Sequence, residues 1–346
     1  MKIHRRQLLK NSAAGFGWLA TTDLLQRHVL ADRNTLPRPM FPPRVKRVIF
    51  LFMYGGPSHV DSFDYKPLLE RDHGKPLPFA KPRVQFQGTK NLFKSPWKFR
   101  QYGDSGSWVS DLFPNVANCV DDLTFVHSMH GSNPAHGGAL LMIHTGSDTF
   151  VRPSMGSWIS YGLGTENSNL PSYVTIDPIM NHGGAQNFGT AFLPAVHQGT
   201  RLAAAAEPQI SDLQPPPGTE HLQRTKLQML KEINQQQFAD AGENSQLEAR
   251  IDSFELAFRM QREAPEALDI SDEPEHVHKH YGLDDNRTAA FGRQCLLARR
   301  LSERGVRFIQ CTHRDGNKIT WDDHSNLLTN HPRLAAEVDR PIAGLI

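Results

Sequence analysis

The sequence has few cysteines and no long apolar run. Only 3 of its 346 residues are cysteine, and Cys119, Cys295 and Cys311 include no pair with the Cys-x-x-Cys spacing of structural metal sites. Three cysteines allow at most one disulfide, which excludes a disulfide-dense scaffold, and we expect buried structural thiols. No apolar run reaches roughly 18 residues, the length that a transmembrane helix needs. The sequence therefore predicts no membrane span.

A strong charge of either sign is also lacking. The chain has 38 Lys and Arg against 36 Asp and Glu, a net charge of +2. The first 31 residues carry five basic side chains and one acidic one, so the remainder has a net charge of −2. Such a chain has no electrostatic attraction for nucleic acid or for an anionic membrane surface. Its length suits one large α/β unit with a sizeable core.

The N-terminus has the pattern of a bacterial twin-arginine export signal. Arg5 and Arg6 lie in a basic segment, and the small and apolar stretch Ala13–Ala20 follows. We predict a signal peptide over residues 1–31 and a linker rich in Pro and Arg over residues 32–44. The alternative is a basic helix of the mature protein. The export machinery reads such signals, so the predicted location is periplasmic or extracellular.

Continuous apolar runs bounded by turn residues predict buried strands, as in a parallel sheet. These runs are Val45–Tyr54, Leu123–Met129, Ser172–Ile176 and Gly305–Cys311. Helical patterns are found at 109–121, 138–144, 154–163, 220–262 and 284–304. Because strands alternate with helices, the sequence predicts an α/β fold with a mainly parallel sheet.

Ligands of such sheets bind outside the carboxyl ends of the strands. The first segment in such a position follows Tyr54 and contains Gly55, Gly56, His59 and Asp61. Asp and His are ligand types for Zn²⁺, Mg²⁺, Mn²⁺ or Ca²⁺, and the glycine pair permits close approach of the backbone to an anion. The alternative is a turn in which Asp61 is a helix N-cap.

The second segment, His127–Gly138, begins in the strand predicted to end at Met129 and continues past it. It holds Ser132 and three histidines, His127, His130 and His136. A helix starting near Gly137 would direct its N-terminal amides at an anion beside His136. A loop of partly exposed histidines is the alternative.

The third segment follows Cys311. Arg314 is suited to bidentate binding of an anionic substrate, and Asp322 and His324 could reach one cation from a bent loop. The alternative is a solvated turn rich in Asp. The histidine-rich stretch His276–His280 follows no predicted strand, and we interpret it as a surface loop.

Four motifs resemble those of an exported bacterial family catalogued as a domain of unknown function, in the alkaline-phosphatase and sulfatase superfamily. They are Phe50–Asp64 (FLFMYGGPSHVDSFD), Arg152–Trp158 (RPSMGSW), Gly305–Phe308 (GVRF) and Trp321–His324 (WDDH). The resemblance covers nearly the whole chain. It implies an alkaline-phosphatase-like sandwich over residues 45–346, with helices on a mainly parallel central sheet and a metal-assisted site for ester hydrolysis.

The resemblance also implies roles for particular residues. Asp61 corresponds to the early metal ligand of the superfamily, and Asp322 and His324 correspond to a late Asp/His pair. His136 lies near the position of the nucleophile, where it would be a ligand, a general base or a phosphate acceptor, with Ser132 as a fallback nucleophile. The cofactor would be a divalent cation (Zn²⁺, Ca²⁺, Mg²⁺ or Mn²⁺), acting as a Lewis acid. No cysteine lies in the Cys-x-Pro-x-Arg pattern of sulfatases, so standard sulfatase chemistry is not expected.

We therefore expect hydrolysis of phosphate or sulfate esters, with a small anionic ester or a sulfated or phosphorylated glycan as substrate. The alternative is a non-catalytic exported binding protein or an inactive truncated fragment of the family. That alternative arises because chains of the family continue beyond the position that corresponds to Ile346. Their additional segment carries a further Asp-His pair, which this sequence lacks.

Overall fold

The computed structural model describes residues 44–81, 84, 88–205, 209–210, 218, 222, 225, 228–230, 232–233, 245–316 and 320–346. For residues 245–253 and 262 it describes the backbone alone. The predicted signal peptide lies outside the described residues, as do nearly all of the linker and most of the segment before residue 245. In the part of the chain that is described, no helix is both long and apolar enough to cross a membrane.

Short strands alternate with helices along the described chain. The strands are β1 Val48–Met53, β2 Phe99–Tyr102, β3 Ser107–Ser110, β4 Tyr173–Ile176, β5 Thr200–Leu202 and β6 Phe308–His313. The α-helices are α1 Pro67–Arg71, α2 His136–Thr145, α3 Met155–Leu163, α4 Ser245–Leu268, α5 Glu275–His280, α6 Ala289–Glu303 and α7 Leu327–Leu345. Short 3₁₀ segments span His59–Asp61, Val116–Asp122, Gly184–Phe188 and Ala195–His197.

Four of the strands form one parallel sheet in the order β1-β6-β4-β5, and β2 and β3 form a separate antiparallel hairpin. In the parallel sheet Met53 is opposite His313, and Ile176 is opposite both Cys311 and Leu202. The α/β class with a mainly parallel central sheet flanked by helices is thus confirmed. Because the strands point the same way and end close together, the loops that follow them start at one edge.

Both faces of the sheet are covered by helices. Ile309 and Cys311 of β6 lie in the main core with Leu296 of α6, whereas Phe308 points to the opposite face with Tyr173 of β4. Successive side chains of a strand point to opposite faces. A strand that is covered on both faces therefore reads as a continuous apolar run, which is why β1, β4 and β6 are recognisable in the sequence.

Helix α3 approaches the sheet closely at Gly156. A Cβ atom at this position would lie 2.6 Å from the ring of Tyr173 and 2.7 Å from the ring of Phe308. The helix begins at the N-cap Ser154, whose hydroxyl oxygen accepts a hydrogen bond from the amide of Ser157. Part of the Arg152–Trp158 motif is therefore explained by helix capping and by close packing on the sheet.

Helix α2 is held on the same face through a buried histidine. His144 is 3% exposed, and its Nε2 atom lies 3.0 Å from Nε2 of Gln310 on β6. Its Nδ1 atom lies 2.8 Å from the carbonyl oxygen of Leu140, and its ring contacts that of Phe52 edge-on at 4.7 Å. Burial lowers the pKa of His144 to about 4, so the imidazole is neutral at pH 7.

Two predicted elements are wrong. Leu123–Met129 is not a strand but a surface segment in which Val126 and Met129 are exposed. Its Phe125 ring stacks on Phe63 at 5.5 Å, so the apolar run contributes to a local cluster rather than to the sheet. The predicted helix 109–121 is instead strand β3 followed by the 3₁₀ segment.

The histidine-rich stretch His276–His280 is at the surface, as predicted, but it lies in the short helix α5 rather than in a loop. Pro274 precedes this helix at its N-cap. Cys295 and Cys311 are buried free thiols, as expected, whereas Cys119 is partly exposed.

We predict opposite effects of alanine at two glycines of α3. Gly156→Ala would force a methyl group against Tyr173 and Phe308, so we expect the free energy of unfolding to fall by about 1–3 kcal/mol. In the matched control, Gly162→Ala, the methyl group meets no atom within 4 Å. There the reduced flexibility of the unfolded chain should raise stability by about 0.5–1 kcal/mol. Urea unfolding of both variants tests this, and equal changes would refute the packing argument.

We predict that His144 makes stability depend on pH. The unfolded chain takes up the proton near pH 6.5, but the folded chain does so only near pH 4. Stability from this residue is therefore present above pH 6.5 and is lost as pH falls toward 4, by at most about 1.4 kcal/mol per pH unit. His144→Gln should flatten the slope of unfolding free energy between pH 6.5 and 4.5. The exposed His276→Gln serves as control, and an unchanged slope in His144→Gln would contradict the prediction.

Candidate functional site

Three loops meet at the carboxyl edge of the parallel sheet. They follow β1 at Tyr54, β4 at Asp177 and β6 at Arg314. The sequence predicts that the loop after Met129 starts at this edge. Because residues 123–129 do not form a strand of the sheet, the loop after β4 starts there instead. The histidine-rich loop still reaches this edge, because it leads to the start of α2.

His136, Asp322 and His324 form the centre of the site. One carboxylate oxygen of Asp322, Oδ2, lies 2.8 Å from Nε2 of His136 and 2.8 Å from Nε2 of His324. The three side chains are 29%, 25% and 41% exposed, so a ligand from solvent can reach them. Two imidazoles therefore share a single carboxylate oxygen at the carboxyl edge of the sheet.

A buried tryptophan fixes the position of Asp322. Trp321 is 2% exposed, and its backbone amide donates to the carbonyl oxygen of Tyr54 at 2.9 Å. Its indole Nε1–H donates to Nδ1 of His313, the last residue of β6. These bonds tie the loop to the ends of β1 and β6. The other partner, His136, is the first residue of α2.

A second pair of polar side chains lies beside this centre. The Tyr54 hydroxyl is 2.6 Å from Nδ1 of His182, and the rings of His182 and His136 are 6.0 Å apart. Burial and the negative charge of Asp322 raise the pKa of Tyr54, so its hydroxyl is neutral and able to donate. His182 has a left-handed backbone with φ of 46°. Sequence reasoning missed His182, although it follows the correctly predicted strand Ser172–Ile176.

Asp61 belongs to a buried network behind the site. Its Oδ2 atom accepts a hydrogen bond of 2.6 Å from the hydroxyl of Ser58. The amide of Ser58 donates to Nε2 of His331, whose Nδ1 lies 2.9 Å from Asp323. Asp61 is 4% exposed, and its Oδ1 atom is buried without a hydrogen-bond partner among the described residues.

His59, which is also a predicted metal ligand, is exposed at the start of the 3₁₀ segment. In that segment Asp61 is the third residue and not the N-cap, which is Ser58. The capping role offered as an alternative for Asp61 is therefore wrong.

Arg314 is at the predicted edge but its guanidinium contacts the protein itself. Its Nε–H and one terminal N–H donate to the carbonyl oxygens of Asp177 and Gly316, each at 2.9 Å. Its other terminal nitrogen is 4.0 Å from a carboxylate oxygen of Asp177. Burial raises the pKa of Asp177, and the positive charge of Arg314 opposes this effect.

Ser132 lies on the exposed part of the loop before α2. Its hydroxyl has a long hydrogen bond of 3.4 Å to Asp148, which also accepts from the side chain of Asn133 at 3.2 Å. The structure thus brings together three predicted residues, His136, Asp322 and His324. Asp61, Arg314 and Ser132 make their contacts elsewhere.

No group of three or more His, Cys, Asp or Glu side chains in the described ranges has the geometry to hold a metal ion. The centre of the site is therefore a hydrogen-bonded His-Asp-His arrangement. Its Asp322 carboxylate orients both imidazoles, and all three side chains are partly exposed to solvent.

A comparison with family models matches residues 45–346 to DUF1501, described as a protein of unknown function. The match covers the whole chain after the predicted linker. None of the curated proteins and none of the solved structures matches the chain.

Proposed function

The chain belongs to the DUF1501 family of proteins of unknown function, and we propose that it is an exported hydrolase of phosphate or sulfate esters that uses a divalent cation. We further propose that it is related to the alkaline-phosphatase and sulfatase superfamily. The observation that carries the proposal is the convergence of His136 and His324 on one oxygen of Asp322. This convergence occurs at the carboxyl edge of a parallel sheet, where ligands of such folds bind.

The chemistry of the donor atoms fits a divalent cation. The imidazole of His324 and the carboxylate of Asp322 are donor types that Zn²⁺ and Mn²⁺ accept, whereas Mg²⁺ and Ca²⁺ favour the carboxylate. The buried Oδ1 of Asp61 has no partner in the described part of the chain, and an unpaired buried oxygen is costly. A cation bound to Asp322 and His324 would replace the hydrogen bond between them rather than enter a preformed site, and His136 would keep its hydrogen bond to Asp322.

When bound, such a cation would polarise the ester and lower the pKa of water. The side chains of the protein would move the proton, donate a hydrogen bond to the ester and attract the anionic substrate. Asp322 holds the ring of His136 in a fixed orientation through Nε2, and His136 would accept a proton at Nδ1, the ring nitrogen that does not face Asp322. The neutral hydroxyl of Tyr54 would donate a hydrogen bond to an ester oxygen in place of His182. Arg314, held by backbone carbonyls at the edge, would attract the anionic substrate.

A second candidate function is binding without turnover. It is favoured by the contacts of Ser132, whose hydroxyl donates to Asp148 and not to His136. A serine nucleophile needs a base within hydrogen-bond reach. In this case the same edge would bind a small anionic ester, or a sulfated or phosphorylated glycan, without cleaving it.

Turnover of p-nitrophenyl phosphate and p-nitrophenyl sulfate tests the hydrolase. The purified chain would be stripped of metal and supplied singly with Zn²⁺, Mn²⁺, Mg²⁺ or Ca²⁺. We expect hydrolysis with at least one cation, and a loss of kcat/KM of about 100-fold or more in Asp322→Asn and in His136→Ala. Both changes remove the arrangement that orients the acid–base group.

Two exposed positions provide matched controls. Asp272→Asn changes a carboxylate that is 70% exposed, and His276→Ala removes an imidazole on the surface of α5, so both variants should keep wild-type turnover. Turnover that is unchanged in Asp322→Asn would refute the assigned centre. Saturable binding of inorganic phosphate or sulfate without hydrolysis under any cation would favour the binding function instead.

Export is supported by the sequence of residues 1–31, with the arginine pair Arg5-Arg6. We expect the exported protein from its source cells to begin near Asp32. We also expect Arg5→Lys with Arg6→Lys to retain the full-length chain in the cytoplasm. N-terminal sequencing of the periplasmic and cytoplasmic fractions measures both outcomes. Efficient export of the double-lysine variant would contradict the twin-arginine route.

A further inference from the structure

A cleft of about 440 Å³ lies beside the β2–β3 hairpin. Ser107 and Trp108 of the hairpin form one wall, and residues 123–127 form the other. Its floor is Phe63, Asp64 and Tyr65, which follow the Asp61 segment in the chain. None of the side chains of the proposed hydrolytic centre lines this cleft, so it is a separate candidate site.

The walls of the cleft are aromatic. The rings of Tyr65 and Trp108 lie 4.6 Å apart with an angle of 36° between their planes, and Trp108 is still 40% exposed. On the other side Phe125 stacks on Phe63 and also on His127, at 5.5 Å and 6.3 Å. Each aromatic ring packs against a second ring, so the apolar faces are rigid. Little side-chain entropy would therefore be lost when a ligand binds.

The carboxylate of Asp64 is the charged group among the residues that line the cleft. Its Oδ1 atom is 2.8 Å from the ammonium of Lys66 and 3.3 Å from Nδ1 of His127. Lys66 already compensates the negative charge. The carboxylate nevertheless keeps capacity to accept further hydrogen bonds, since an ionised carboxylate has about four lone-pair sites.

The aromatic walls and the charge-compensated carboxylate of Asp64 restrict the kind of ligand that the cleft can bind. Because the charges of Asp64 and Lys66 compensate each other, neither an anion nor a cation would gain much here. A purely apolar ligand would take Asp64 and Thr124 out of water without adding a hydrogen bond. A neutral ligand with one apolar face and hydroxyl groups at its edge fits best. A pyranose ring has this form, because its C–H groups lie on one face and its hydroxyls lie around the rim.

We propose that the cleft between the β2–β3 hairpin and residues 123–127 binds a neutral carbohydrate, with a pyranose ring against Trp108 and a hydroxyl hydrogen-bonded to Asp64. This binding does not rest on the proposed hydrolysis. The segment that lines the cleft continues through His127 toward His136 at the start of α2, so both sites lie along one stretch of chain.

Binding of cellotetraose, maltotetraose and chitotetraose by the full chain tests the proposal. Isothermal titration calorimetry and tryptophan fluorescence would be recorded in buffer without added metal. We expect at least one of the three to bind saturably, and we expect Trp108→Ala to weaken that binding at least tenfold. The matched control Trp158→Ala removes a tryptophan that is 45% exposed on α3, outside the cleft, and should bind as the wild type does.

Two further variants keep the proposal testable if Trp108→Ala fails to fold. Asp64→Asn keeps the shape but weakens the acceptor, and Thr124→Leu adds bulk to the opposite wall, so each should weaken binding. The proposal is overturned if none of the three oligosaccharides binds the wild-type chain, or if binding survives all three cleft variants. Tetramethylammonium that binds at the cleft in place of the sugars would also overturn it, in favour of a cation site.

Discussion

The parallel pairing of β1 with β6 is the interaction on which the rest of the site depends. It places Met53 opposite His313, so the chain leaves both strands at one edge and the following loops start as neighbours. The same register allows the amide of Trp321 to bond the carbonyl of Tyr54 and its indole to bond His313. Asp322 is thereby fixed at the edge. A shift of β6 by one residue would move His313 to the other face and break this attachment.

The two faces of the sheet make different contributions. On the face of α6 and α7, a large apolar core stabilises the fold. On the face of α2 and α3, packing is closer and partly polar, with Gly156 against two rings and His144 paired with Gln310. His136 opens α2, and the other end of this helix packs on the sheet through the buried imidazole of His144, which is neutral at pH 7.

The proposed hydrolytic centre and the aromatic cleft have different physical characters. At the centre one carboxylate oxygen is shared by two imidazoles, and nearby polar groups are available to an anion or to a cation. In the cleft, aromatic rings surround a carboxylate whose charge Lys66 compensates. The two proposed sites would therefore recognise different chemical groups, an ionic group at the centre and a neutral sugar ring in the cleft.

The sequence by itself determined the α/β class and strands β1, β4 and β6, because a strand covered on both faces must be apolar throughout. It also predicted His136, Asp322 and His324 as candidate site residues, because they follow strand ends or open a helix. Only the tertiary structure decided which side chains meet. Leu123–Met129 is as apolar as a buried strand, yet it packs on Phe63 at the surface. His182 joins the site because β4, not that segment, pairs with β6. Pairing between distant strands depends on the packing of the whole sheet, which no local pattern in the sequence contains.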